Sequence, residues 1–264
     1  MNELKFNPKE LRKEFFYKKN FDLDPGLTAY VSKILSNSDL YIPLVHYIQI
    51  YLFEYMHEFI NRWFGNSNVK VLDWGCGLGY YSYLFGKRGI DVTACDISEV
   101  IAGNRPFIES LGIPCAALPH PYELPFKANT FDVILNCGVL EHVPNDVESL
   151  KEIYRVLKPN GLFFTYYLPA KYSWRQNIAG IIGAYKHENL YKNRQLTKLI
   201  QNCGLKIIDR WVRDVVPFRR YSENFRLMEK IDYLFCRTPP FKWIASNIEF
   251  VAYKEKEAGA SVIL

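Results

Sequence analysis

Apolar and polar positions alternate through Val69, Lys70 and Val71 into Leu72, and the run then breaks into an acid and three glycines at every second place, Asp73, Gly75, Gly77 and Gly79. After them the chain turns aromatic and amphipathic over Tyr80, Tyr81, Ser82, Tyr83, Leu84 and Phe85. That change of period predicts a strand, a tight loop and a helix. Downstream, the same kind of pattern predicts short buried strands at Asp91–Asp96, Pro114–Leu118, from Thr130 onward and over Leu162–Tyr167. A helix running to Leu157 is capped by Asn145 with Glu148 and stopped by Lys158, Pro159, Asn160 and Gly161.

Upstream, Pro43–Phe64 is the most helix-like run. Leu44, Ile48, Tyr51, Leu52, Tyr55, Phe59 and Trp63 cover one side, and His46, Gln49, Glu54, His57, Glu58 and Asn61 gather on the other. Past Pro169 the alternation becomes irregular. A helix is expected over Asn193–Cys203, a strand over Leu205–Val215 and a last strand over Asn247–Lys254, with irregular pieces at 171–191 and 217–244.

Glycine suits the loop because the turn needs backbone angles that a β-carbon opposes, and because a ligand can then lie on the main chain. A dinucleotide fingerprint would place its third glycine at position 80, where this chain has Tyr80, so a nicotinamide reductase is disfavoured. Asp73 at the strand end is expected to face a cationic, phosphate-free ligand. Asp96 lies about twenty residues past the loop, where an α/β nucleoside site keeps the carboxylate that accepts both ribose hydroxyls. The competing reading of Asp96 is a helix cap for the segment near Ser98.

From Val69 to Pro169 the chain resembles the class I S-adenosylmethionine-dependent methyltransferases. The resemblance implies a doubly wound, mostly parallel seven-stranded α/β sheet whose last two strands form an edge hairpin. It implies that S-adenosylmethionine is bound by Asp73, Gly75, Cys76, Gly77, Gly79 and Asp96, with Ile97 packing on the adenine and Asn136 and Cys137 lining the methionine end. Family members usually carry an aspartate where this chain has His120, so Leu118 or a backbone group is expected to serve the adenine instead. Insertions at about 170–193 and 217–245 would cover the acceptor, over a 66–254 catalytic domain with a helical arm at 1–65 and a loose tail at 255–264.

The chain has 264 residues, enough for one large α/β domain. Its 33 basic and 28 acidic residues leave a net charge of +5, too mild to argue for nucleic-acid binding. Six cysteines, Cys76, Cys95, Cys115, Cys137, Cys203 and Cys236, stand far apart without a histidine at zinc spacing, so they read as reduced thiols of a cytoplasmic protein and no metal is expected. No apolar span reaches membrane length, and the charged first twenty residues do not read as a secretory leader. Peripheral membrane contact stays open because Arg219, Arg220, Arg226, Lys230 and Arg237 are interleaved with aromatics.

Methyl transfer to a hydroxyl needs a base, whereas carbon or amine acceptors need little beyond alignment. His187, Tyr166 and His142 are the candidates expected at the carboxyl edge of the sheet, with His142 also able simply to shape its loop. The expected acceptor is small or carrier-linked: a sugar or glycan hydroxyl first, a quinone or other lipid-like ring as the alternative. A non-catalytic S-adenosylmethionine-binding regulator is the reading from another class.

Overall fold

The computed structural model describes residues 5–18, 25–27, 29, 42–65, 67–99, 101, 108–120, 122–181, 187, 189–216 and 225–256. The chain divides into two units. One comprises Asn68–Pro169, His187–Arg210 and Glu249–Leu264, and the other comprises Met1–Ser67, Ala170–Lys186 and Trp211–Ile248.

The strands are β1 (Lys70–Trp74), β2 (Asp91–Ile97), β3 (Cys115–Leu118), β4 (Phe131–Cys137), β5 (Leu157–Pro169), β6 (Leu205–Arg213) and β7 (Asn247–Lys254). They form a seven-stranded sheet in the order β3-β2-β1-β4-β5-β7-β6. Parallel ladders join β1 to β2 and β4, β2 to β3, and β4 to β5. The sheet is mostly parallel with one antiparallel hairpin, the expected class. The central strands are near-continuous apolar runs because both faces are covered: Val71, Leu72, Val133, Ile134, Leu135, Phe163 and Phe164 are completely buried.

Three helices of the first unit border this sheet: α3 (Tyr80–Lys87), α4 (Asp146–Val156) and α6 (Asn193–Asn202). Asn145 caps α4 as expected, its Oδ1 accepting the Glu148 N–H at 3.2 Å. The expected turn at 158–161 is instead a bulge within β5. Leu157 pairs with Phe131 and Leu162 with Val133, so the four intervening residues are looped out opposite a single residue, with Asn160 at φ 64°. At the far end of the sheet the Lys254 ammonium donates to Asn129 Oδ1 and to the carbonyls of Tyr154 and Leu157, at 2.8, 2.8 and 2.9 Å.

The second unit contains α1 (Pro8–Lys13), a π-helical turn (Glu14–Lys18), α2 (Ile42–Phe64), α5 (Trp174–Ile181), α7 (Phe225–Phe235) and a 3₁₀ turn (Phe241–Trp243). The two pieces expected to be irregular are therefore partly helical. Helix α2 is also less one-sided than its pattern suggested: Ile50, Phe53, Met56 and Ile60 are as buried as Ile48, Tyr51, Tyr55 and Phe59. Its apolar face is wide, and Glu58 and Arg62 mark the side left to solvent. Phe15, Phe16 and Trp211 pack their rings against Tyr55, and the Arg12 guanidinium lies 4.7 Å over Trp211. In the same unit Asp232 is completely buried and accepts the backbone N–H groups of Asp214, Val215 and Val216, fixing the turn after β6. The side chain of His46 and the arginines at 219 and 220 lie outside the described residues.

Candidate functional site

The loop between β1 and α3 takes the backbone form its glycines allow. Gly75, Gly77 and Gly79 have φ of 68°, 51° and 76°, the left-handed region that a β-carbon resists. Their surroundings differ. A β-carbon on Gly75 would fall 2.1 Å from Val139 Cγ2 and one on Gly79 would fall 2.9 Å from Ile108 Cγ1, whereas a β-carbon on Gly77 would meet nothing within 4 Å. Two glycines thus exist to let side chains close in, and the middle one leaves open space above the main chain.

Asp73 departs from expectation. Its Oδ2 accepts both the backbone N–H and the hydroxyl of Ser82, at 3.0 and 2.7 Å, and the residue is 2% exposed. The N-cap of α3 is Gly79, which has no side chain to cap with, so the strand-end aspartate caps the helix from a distance. Burial raises its pKa to about 6, against the lowering effect of the two Ser82 bonds.

Asp96, at the end of β2, reaches across to the loop: Oδ2 accepts the Gly77 N–H at 2.8 Å and Oδ1 accepts its neighbour's, Ile97 N–H, at 2.7 Å. Each oxygen keeps a second lone pair for a ligand hydroxyl. Burial raises its pKa while these two N–H groups hold it down. Ile97 is 40% exposed, a large apolar side chain left uncovered directly beside the acid. Leu118 is buried at the adjacent position of β3, paired in register with Ile97. His120 packs its ring edge-on to Tyr122 at 3.9 Å.

Asn136 is completely buried at the end of β4 and is spent on its own loop, accepting from the N–H groups of Val139 and Leu140 at 3.2 Å each. Cys137 follows it, a half-buried residue whose thiol pKa is raised by desolvation and by the Asp73 carboxylate. Cys76 is likewise pushed up, first by a hydrogen bond with Cys115 and then by burial. The cysteines are all free thiols.

The loop that Asn136 shapes carries Glu141 and His142, and a distant segment is tied to it. Asn189 Nδ2 donates to the Val143 carbonyl at 3.1 Å, and the Tyr191 hydroxyl donates to the Leu140 carbonyl at 3.1 Å. These anchors bring His187 beside His142, with ring centroids 5.2 Å apart. Glu141 lies between them chemically: one oxygen is 3.9 Å from His142 Nε2, and the other, Oε2, is buried without a hydrogen-bond partner. Desolvation raises the Glu141 pKa to about 7. Tyr166 does not join this group. It is completely buried within β5, its ring stacked on Phe164. The structure brings two of the sequence candidates, His142 and His187, together with Glu141, which the sequence analysis did not single out and whose adjacency to His142 was the available signal.

Residues 72–165, the stretch that supplies β1, the glycine loop, Asp96 and the β4 loop, match a methyltransferase domain family. Over that stretch the chain carries a class I S-adenosylmethionine-dependent methyltransferase domain. Among curated proteins it is 28% identical over 197 residues to the sterol 4-C-methyltransferase of Caenorhabditis elegans, covering 69% of this chain and 55% of that protein. It is 29% identical over 178 residues to the ubiquinone biosynthesis O-methyltransferase of Rhizobium leguminosarum bv. trifolii, covering 63% and 69%. The chain thus spans little more than half the length of the sterol relative. Two solved methyltransferases share the fold. The one from Methanosarcina mazei has a TM-score of 0.53 at 19% identity, covering 72% of this chain and 94% of that one. The one from Archaeoglobus fulgidus has a TM-score of 0.52 at 17% identity, covering 76% and 94%.

The residues fit the family's cofactor. The open space at Gly77, the acid Asp96 with lone pairs to spare and the uncovered Ile97 suit a backbone-lying chain, a ribose diol and an adenine ring respectively. Bound S-adenosylmethionine supplies an electrophilic methyl group on a sulfonium. Ser82 and Val139, given no role at the site in the sequence analysis, lie against the loop by contacts whose spacing in the chain carries no periodic signal.

Proposed function

We propose that this methyltransferase uses S-adenosylmethionine to methylate an oxygen on a lipid-like ring acceptor. The observation that carries the acceptor class is the apolar surface of the second unit. Tyr172, Ile181 and Trp243 are 60%, 83% and 63% exposed, and Leu227, Leu234 and Ile244 are also uncovered. Exposed apolar groups at this density mark contact with an apolar ligand or lipid surface. Lys230, Arg237 and Lys242, interleaved with them, suit an anionic lipid headgroup. Relatives named for a sterol and for ubiquinone biosynthesis support the same reading.

Oxygen is favoured as the methylated atom by Glu141, His142 and His187, which gather the proton-handling groups that a hydroxyl acceptor requires. A carbon or amine acceptor gives that cluster nothing to do. Asp96 and the loop at Gly77 hold the cofactor, and the β4 loop orients the acceptor oxygen while excluding water.

The sugar acceptor rested on the insertions and on Arg219, Arg220, Arg226, Lys230 and Arg237, of which the first two lie outside the described residues. The discriminating experiment incubates the purified chain and radiolabelled S-adenosylmethionine with a polyprenylated dihydroxybenzene, a sterol and a sugar nucleotide in parallel. Label in the dihydroxybenzene lipid as a methyl ether is the expected outcome. Label only in the sugar nucleotide overturns the acceptor class, and label only on carbon of the sterol overturns the oxygen assignment. Cofactor binding without turnover on any acceptor favours the regulatory reading.

A further inference from the structure

Glu141, His142 and His187 each offer one ligand atom, and all three atoms lie within 4.8 Å of one another. The two imidazoles and one carboxylate come from two places in the chain 45 residues apart, and no sequence spacing reveals them. Two features distinguish the cluster from a chance meeting of polar side chains. Glu141 is 2% exposed with Oε2 buried and unpartnered, an arrangement that costs stability unless something occupies that side. The hydrogen bonds from Asn189 and Tyr191 hold the His187 segment against the β4 loop.

We propose that Glu141, His142 and His187 form a divalent-cation site with open coordination positions, and that the acceptor oxygen completes it. The second clause rests on the oxygen-methylation reading, whereas the first does not. Two imidazoles with one carboxylate suit Zn²⁺, Mn²⁺, Fe²⁺ or Co²⁺ over Ca²⁺ or Mg²⁺, whose preferred shells are all oxygen. Three protein ligands leave room for an exogenous one, the pattern of catalytic rather than structural metal sites. Metal–ligand bonds of about 2.0–2.2 Å need ligand atoms roughly 3 Å apart, so binding draws the present atoms together by side-chain rotation. His142 is half-exposed and has the freedom to make that movement. A cation held there lowers the pKa of an oxygen placed against it, and it gives the buried Glu141 a counter-charge.

The test is a titration of the purified, chelator-treated full chain with CoCl₂, followed by visible absorption and calorimetry. It is repeated on Glu141→Gln, His142→Asn and His187→Asn, with S-adenosylmethionine affinity measured separately on every protein. One Co²⁺ per chain is expected, with ligand-field bands and without sulfur charge-transfer bands, and each substitution should weaken binding by about tenfold or more. Cofactor affinity should stay within about threefold, reporting an intact fold. Absence of stoichiometric binding, binding unchanged in all three variants, or charge-transfer bands showing cysteine ligation would each overturn the metal site. Should Glu141→Gln fail to fold, the two histidine variants decide the outcome alone. Metal binding without methylation of any hydroxyl acceptor would leave the site standing and remove the oxygen reading.

Discussion

Asp96 Oδ2 accepts the Gly77 N–H at 2.8 Å, so the acid at the end of β2 is tied to the one glycine of the loop that has open space above it. The carboxylate and the bare main chain form one surface. Replacing Asp96 with alanine removes both the ribose acceptor and the partner of that N–H. S-adenosylmethionine affinity should fall by at least about a hundredfold, roughly 3 kcal/mol, in a calorimetric titration. Unchanged affinity would refute the ribose assignment.

The three glycines should respond differently to alanine. Gly75→Ala meets Val139 as well as an unfavourable φ, and should cost about 3 kcal/mol or more of stability. Gly77→Ala meets no neighbour, costs about 1–2 kcal/mol in backbone strain, and instead fills the ligand's space. Urea unfolding should therefore rank Gly75→Ala below Gly77→Ala. Cofactor titration should show Gly77→Ala losing affinity while folded.

Ser82→Ala leaves the buried Asp73 carboxylate with one hydrogen bond fewer. A loss of about 1.5–3 kcal/mol is expected at pH 8, where the aspartate is charged, and a smaller loss at pH 5, where it holds its proton. Equal losses at both pH values would refute the link to the carboxylate.

Glu141 makes stability pH-dependent in a definite direction. Its pKa rises from the ordinary 4.5 to about 7 on folding, so the folded chain holds the proton more tightly than the unfolded one. Stability contributed by that proton is full below about pH 4.5, is lost as pH rises to about 7, and stays lost above. The change is no more than about 3 kcal/mol. In metal-free protein, Glu141→Gln should flatten the fall in urea midpoint between pH 5 and 8. The contribution of Asp73, which has the same sign, should remain.

Lys254→Met strips three acceptors of their shared ammonium while keeping the apolar stem. About 2–4 kcal/mol of stability should be lost, with cofactor affinity unchanged in the folded protein. Chemical denaturation with a parallel binding measurement checks both halves.

The residues of the cofactor loop and β4 announced themselves in the sequence because local periodicity and glycine chemistry are written in neighbouring positions. Asp73, the alternating glycines and Asp96 needed only strand–loop–helix order to be placed, and Asn145 only its distance from Glu148. Lys158–Gly161 kept its composition of a turn, yet pairing of Leu157 with Phe131 drew it into a bulge. The helices at 174–181 and 225–235 lie within the two pieces that the sequence left irregular.

The direction of a side chain was decided only by the folded chain. Asp73 turns inward because α3 begins at a glycine that cannot cap itself, and Tyr166 is completely buried in β5. The meeting of His187 with Glu141 and His142 depends on hydrogen bonds from Asn189 and Tyr191 to carbonyls more than forty residues away. Local sequence determines which backbone conformations are cheap. Contacts between distant segments, each made at the expense of chain entropy, determine which functional groups share a site.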